Sequence, residues 1–244
     1  KVEKSLQVAE QTLAQSSKLA ALGEMSAAVS HELNQPLAAM KTYLAGAKLL
    51  LQRKRPDEAL SSFQRIDDLI GRMSAITQQL KSYARKAGED FVPVDVRSAL
   101  NSALAIMEPQ LKSRQISLSK TLPRDAPMIF GDQLRLEQVI VNLLRNALDA
   151  TSSIASPEIE ILLIAGESII LTVRDNGEGI SDLDELFEPF FTTKKPGDGV
   201  GLGLAISSGI VTDLGGRLVA RNCEGAGAVF ELILPILSNN QNGG

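Results

Sequence analysis

Small and apolar residues recur at a fixed interval along the start of the chain. Leu6, Leu13, Ala20 and Ala27 stand seven apart, and Ala9, Ser16, Gly23 and Ser30 follow at an offset of three. This heptad-like seam predicts a helix packed closely on a neighbour. The stretch RKRPDEAL interrupts it: Pro56 disfavours helix at Arg55, and Pro-Asp-Glu is a good helix opening. A second helical stripe follows through Leu60, Phe63, Ile66, Leu69, Ile70, Met73, Ile76, Leu80 and Tyr83. Residues 1–86 therefore read as a helical hairpin. Two helices cannot cover their own apolar faces. A second copy would do so by forming a four-helix bundle, and docking on the rest of the chain is the alternative.

The pattern changes after RKAGEDFVPVDV, which reads as a linker. VDVRSALNSALAIMEPQL is an amphipathic helix pattern, and QISLSKTL and APMIFG read as short strands. DQLRLEQVIVNLLRNALDA predicts a helix with Asp132 as its N-cap. EIEILLIA and SIILTVRD predict a β-hairpin. A glycine-rich segment from Asp175 to Gly203 leads into a helix ending at Gly215, and RLVARN and GAVFELILP close as strands. The expected fold is an all-α hairpin followed by an α+β two-layer sandwich. SNNQNGG reads as a disordered tail.

At 244 residues and 44% hydrophobic, the chain can bury a core or two, and its length fits one large or two small domains. A net charge of −4 argues against broad attraction to nucleic acid or an anionic membrane. Its one cysteine, Cys223, cannot form an intramolecular disulfide and reads as a small buried residue in a reducing setting. No apolar run approaches the roughly 20 residues needed to cross a bilayer. The opening KVEKSLQVAEQ lacks a starting Met and reads as helix, as expected of a piece of a longer protein.

Candidate chemistry sits in four places. DNGEG and GDGVGLGL concentrate glycines where apolar strands end and an apolar helix begins. Gly199, Gly201 and Gly203 precede that helix, whose free N–H groups suit phosphate. Neither the P-loop spacing nor a strand–GxGxxG–helix context is present. Asn142 and Asn146 lie four apart on an otherwise apolar helix, so they bond across helices or supply an oxygen to Mg²⁺. DELFEPFFTTKK holds Phe187, Phe190 and Phe191 with Lys194 and Lys195 close behind, as a lid over a phosphate ligand or a locally buried loop. Finally, the only histidine is His31, in AAVSHELNQPLAAM. An imidazole titrates at about 6.5, so near neutrality much of it is nucleophilic. Glu32 can orient the ring and take its proton, and Pro36 should bend the helix just past it. The plainer reading is a satisfied surface histidine.

Taken together, these stretches resemble the cytoplasmic core of a bacterial two-component sensor histidine kinase. That core is a phosphoacceptor hairpin followed by an ATP-binding domain of the gyrase/Hsp90/MutL type. SHELNQPL is similar to the phosphoacceptor box, NLLRNALDA to the N box, DNGEG to the G1 box, FEPFFTTK to the F box and GVGLGL to the G2 box. The match covers roughly residues 17–235. Within the family, AALGEMSAAVSHELNQPLAA and LFEPFFTTK look most like dicarboxylate-transport and nitrogen-regulatory sensor kinases. The implied division is a signalling coiled-coil helix (1–16), a dimerisation and phosphotransfer hairpin (17–88), a catalytic domain (89–237) and a tail (238–244).

The resemblance implies roles. His31 would accept phosphate, with Glu32 as acid/base partner. Asn146 would ligate Mg²⁺, with Asn142 lining the site. Asp175 would bond the exocyclic amine of adenine. Gly177, Gly179, Gly199, Gly201, Gly203 and Leu204 would shape the ATP site, with Lys194 near the phosphates. The ATPase branch has a water-activating glutamate where this chain has Asn142, an amide and a poor base, which argues for a kinase. Gln35, with Asn34 before it, stands where relatives position water to dephosphorylate their partner. Its exchange for alanine is expected to lower such activity and spare autophosphorylation. Implied partners are a second copy through residues 1–86 and the receiver domain of a response regulator, with no nucleic acid. The implied location is the cytoplasmic portion of an inner-membrane-anchored protein, tethered only through an N-terminal sensor region. Readings from other classes are a binding module with a vestigial ATP site, marked by tight ATP binding without transfer, and an ATPase, marked by phosphate release without a labelled protein.

Overall fold

The computed structural model describes residues 26–84, 91–189, 191–193 and 201–237. They divide into a helical unit, 26–84 with 191–193 and 201–202, and a mixed unit, 91–189 with 203–237. The expected signalling helix (1–16) and tail (238–244) lie outside the described residues, as do Lys194 and Gly199.

The helical unit is a hairpin of α1 (Ser26–Gln52) and α2 (Pro56–Ala84). Pro36 lies within α1 without ending it. The turn tightens through Lys54, at φ +59°, with the N–H of Lys54 and Arg55 donating to Leu51 O and Leu50 O. Pro56 opens α2 with Asp57 and Glu58 in the first turn, where acidic side chains meet the positive helix end. Arg65 crosses to α1, donating to Tyr43 Oη at 3.1 Å with its guanidinium 5.5 Å from the ring centre. Ala47, Ala59 and Ile76 are buried, whereas Leu44, Leu60, Phe63 and Ile70 remain exposed, Leu60 by 61%.

In the mixed unit, β1 (Val92–Asp95) pairs antiparallel with β3 (Met128–Gly131). The stretch expected to be a linker thus holds a strand. Its alternation is short and masked by Pro93, which a two-stranded edge tolerates. Then come α3 (Val96–Ser113), β2 (Ser117–Thr121), α4 (Gln133–Ala150), β4 (Glu158–Ala165), β5 (Ser168–Asp175), α5 (Gly203–Asp213), β6 (Arg217–Asn222) and β7 (Ala228–Pro235). The main sheet has the order β2-β4-β5-β7-β6. Only the β2–β4 pair is parallel, so the sheet is mixed.

Alternation fixes which face is buried. Ile159, Ile161 and Leu163 of β4 turn inward with Ile169, Leu171 and Val173 of β5 and Leu232 and Leu234 of β7. Leu136, Val139, Ile140, Leu143 and Leu144 make one buried stripe on α4. This helix packs between α3 and α5 and over β5. Asp132 caps it as expected, accepting from the N–H of Leu134 at 2.9 Å and Arg135 at 3.2 Å. Among the described residues, no helix is long and apolar enough to cross a membrane.

Candidate nucleotide site and phosphoacceptor helix

The strand β5 ends on Asp175, which is only 2% exposed. Its Oδ1 accepts from the N–H of Gly177 at 2.9 Å and of Ala228 at 3.3 Å. Among the described residues Oδ2 accepts nothing. Burial pushes this carboxyl above the usual carboxylate range, and the two N–H donors act against that. A carboxylate held rigidly by one oxygen, with the other unengaged, suits recognition of an amine on a flat ring.

Close backbone packing shapes the loop beyond it. A side chain at Gly177 would come within 2.5 Å of the carbonyl of Ala150, at the end of α4. Asn176 bridges to Glu158 N and Ser156 O. Gly227, at φ +93°, lies so close to the Asp175 carbonyl that any side chain would collide with it. Gly227 and Ala228 were not singled out from the sequence, although the glycine-rich CEGAG turn was a usable signal.

Asn142 and Asn146 are both half-buried, among buried Leu143, Leu144 and Ala147. Asn142 Nδ2 donates to Ser207 Oγ of α5 at 3.0 Å. Its Oδ1 would lie 2.5 Å from a side-chain carbon placed at Gly203. Helix-to-helix bonding therefore accounts for its amide nitrogen. The side chain of Asn146, one turn further, has no hydrogen bond among the described residues. Gly201 is left-handed at φ +68°, and Leu204 is half-buried in the first turn of α5. The described residues bring together no three His, Cys, Asp or Glu side chains in a group that could hold a metal ion. What these residues offer a divalent cation is amide oxygen, which fits Mg²⁺ taking most of its ligands from phosphate and water.

On the helical unit, His31 is exposed on α1. Gln35 Nε2 lies 3.0 Å from His31 Nε2, one turn on. An amide nitrogen can only donate, so this contact is a hydrogen bond when Nε2 is the unprotonated ring nitrogen. Asn34 is exposed beside Gln35, and the Glu32 side chain lies outside the described residues.

Residues 21–89 match the His Kinase A (phospho-acceptor) domain, and residues 131–238 match the histidine kinase-, DNA gyrase B- and HSP90-like ATPase. The chain belongs to the histidine kinase family. This histidine kinase is 41% identical over 238 residues to the C4-dicarboxylate transport sensor protein DctB of Pseudomonas aeruginosa, spanning 95% of the chain and 39% of that relative. It is 39% identical to DctB of Rhizobium meliloti, over 87% of the chain and 34% of the relative. The chain thus spans well under half the length of these curated relatives. The catalytic domain of histidine kinase ThkA matches with TM-score 0.54 at 27% identity, covering 60% of this chain and 97% of that one. ThkA solved in complex with response regulator TrrA has the same fold, with TM-score 0.71 at 22% identity over 96% of this chain and 67% of that one.

Proposed function

We propose that this kinase core moves the γ-phosphoryl group of ATP to His31 and then to an aspartate of a response regulator. The observation that carries the reading is His31 itself: the chain's one imidazole, exposed on a helix inside the phospho-acceptor match. A lone pair of the ring attacks the γ-phosphorus, a P–N bond forms and the bond to the β-phosphate oxygen breaks, releasing ADP. The ring proton passes to a base, for which Glu32 is the candidate. In the second unit, Asp175 Oδ2 accepts the adenine amine while Asn142 and Asn146 face the phosphates. Mg²⁺, when bound, would neutralise charge developing on the transferring group. An amide at position 142 is a poor base for water, so the phosphoryl group is kept for His31.

Position supports Gln35 as the residue that orients water for dephosphorylating the regulator, with Asn34 beside it. Lys194, Gly199, Gly201, Gly203 and Leu204 complete the proposed phosphate side. The hairpin's exposed apolar residues support dimerisation through residues 1–86. Because β1 pairs with β3, the catalytic domain is taken from residue 89 to 237, with the phosphotransfer hairpin at 17–88 and a signalling helix at 1–16. The similarity to sensor proteins supports a cytoplasmic portion of a membrane-anchored protein, and the ThkA–TrrA complex supports a receiver domain as partner.

The test is incubation with γ-labelled ATP and Mg²⁺, comparing the parent with His31→Gln. Acid-labile, alkali-stable label in the parent alone is the expected result. ATP binding without label in either protein would favour a binding module, and steady phosphate release without label an ATPase.

A further inference from the structure

The loop that carries Asp175 is held at both ends by one hairpin. Asn222, the last residue of β6, and Ala228, the first of β7, face each other in the β6–β7 register. Ala228 N–H donates to Asp175 Oδ1 at 3.3 Å, fixing the start of the loop. At its far end Asn222 makes two bonds to one residue: Ile180 N–H donates to Asn222 Oδ1 at 2.7 Å, and Asn222 Nδ2 donates to Ile180 O at 2.9 Å. The side-chain amide thus pairs with Ile180 as a neighbouring strand's backbone would. Cys223 N–H donates to Gly227 O at 2.9 Å and closes the hairpin turn itself.

The glycine between these anchors has a reason in the same contact. Gly179 is at φ +78°, and a side-chain carbon there would stand 2.9 Å from Asn222 Oδ1. Asn222 can reach Ile180 only because residue 179 has no side chain.

We infer that Asn222 is a positioning residue for nucleotide selectivity. This rests on Asp175 reading the adenine edge. Both polar atoms of the Asn222 amide are engaged with Ile180. Asn222 holds the far end of the span from Asp175 to Ile180, beyond the bonds of Asn176 and Glu178 to the neighbouring backbone, and so helps set the position of the carboxylate. A fixed carboxylate accepts the amine of adenine and opposes the carbonyl oxygen at the equivalent place on guanine. A loop released at Ile180 lets the carboxylate move away from that oxygen. Losing Asn222 therefore costs ATP more than it costs GTP.

The experiment measures equilibrium binding of ATP and GTP to the whole chain. It compares the parent, Asn222→Ala, Asn222→Asp and Arg221→Ala, an exposed neighbour whose side chain, among the described residues, pairs only with Glu231 at 3.3 Å. The expected result is a GTP-to-ATP dissociation-constant ratio at least about threefold lower in Asn222→Ala, as loss of two modest hydrogen bonds would give. Arg221→Ala keeps the parent ratio. Asn222→Asp loses the donor to Ile180 O and also shows a lowered ratio, so the test survives if the alanine variant does not fold. A ratio within twofold of the parent in the folded variants overturns the inference. Asp175→Asn is measured alongside. If it abolishes selectivity while the Asn222 variants keep it, only this inference fails. If Asp175→Asn also keeps selectivity, the adenine-site reading fails and this inference with it.

Discussion

Asp175 is a carboxylate whose burial works against its own charge. Its folded-state pKa is raised, so in the interval above the ordinary aspartate range the native protein still holds a proton that the unfolded chain has released. Its contribution to stability therefore falls as pH rises through that interval and is level above it. Asp175→Asn keeps an oxygen for Gly177 and Ala228 but removes the buried charge. The nucleotide-free variant should be no less stable than the parent at neutral pH in a urea titration, with a flatter pH dependence in mild acid. Its ATP affinity should fall roughly tenfold to a hundredfold by calorimetry, the range for a hydrogen bond to a charged group. Unchanged affinity would remove Asp175 from the adenine site. Gln35 is the second case. Its amide nitrogen lies 3.0 Å from His31 Nε2, so attack through that nitrogen requires Gln35 to withdraw. Gln35→Ala should then raise the single-turnover labelling rate about twofold to tenfold. This departs from the sequence-based expectation that the exchange spares autophosphorylation. Slower labelling would mean that Gln35 assists the transfer.

At the scale of elements, α4 joins the core to the site. Its apolar stripe fixes its rotation against the sheet, and that rotation fixes where Asn142 and Asn146 emerge. Asp132 begins it with one carboxylate oxygen serving two N–H groups. Asp132→Ala should cost about 1 kcal/mol of unfolding free energy, read from the urea midpoint at constant slope. No change would mean that neighbouring groups satisfy those N–H donors. The far end of the α4–α5 contact is an ion pair, Arg135 to Asp213 at 2.6 Å, with Arg135 Nε buried and without a partner among the described residues. No sequence pattern announced this pair, because its members lie 78 residues apart and either could have been a surface charge. The helices and most strands were legible, since 3.6-residue and two-residue periodicities are local properties. The strand at Val92–Asp95 was not, because four residues containing a proline carry almost no period and only pairing with β3 makes them a strand.

For the whole molecule, the hairpin exposes Leu60, Phe63 and Ile70 along α2, more apolar surface than two helices can hide. Phe63→Glu should shift the chain from dimer to monomer in analytical ultracentrifugation, with ATP binding by the second unit unaffected. A dimer that persists would place the interface elsewhere. The sequence by itself determined the two-part organisation, the helix starts at Pro56 and Asp132, and the identity of His31, Asn146 and Asp175 as the residues to examine. The organisation, the helix starts and the candidacy of His31 and Asn146 rest on local spacing, capping and residue chemistry, and that of Asp175 on the resemblance of DNGEG to the G1 box, none of which needs a distant partner to be recognised. Tertiary structure decided the rest. It gave Asn142 a bond to Ser207, set Gln35 on the His31 ring, and brought Ala228 to Asp175 and Asn222 to Ile180. Three of these four contacts join segments far apart in the chain. The fourth needed the helix to set side chains one turn apart and a rotamer to bring them together. A distance between side chains exists only once the backbone has closed, and that is why a sequence can name the participants of a site before it can say what each one holds.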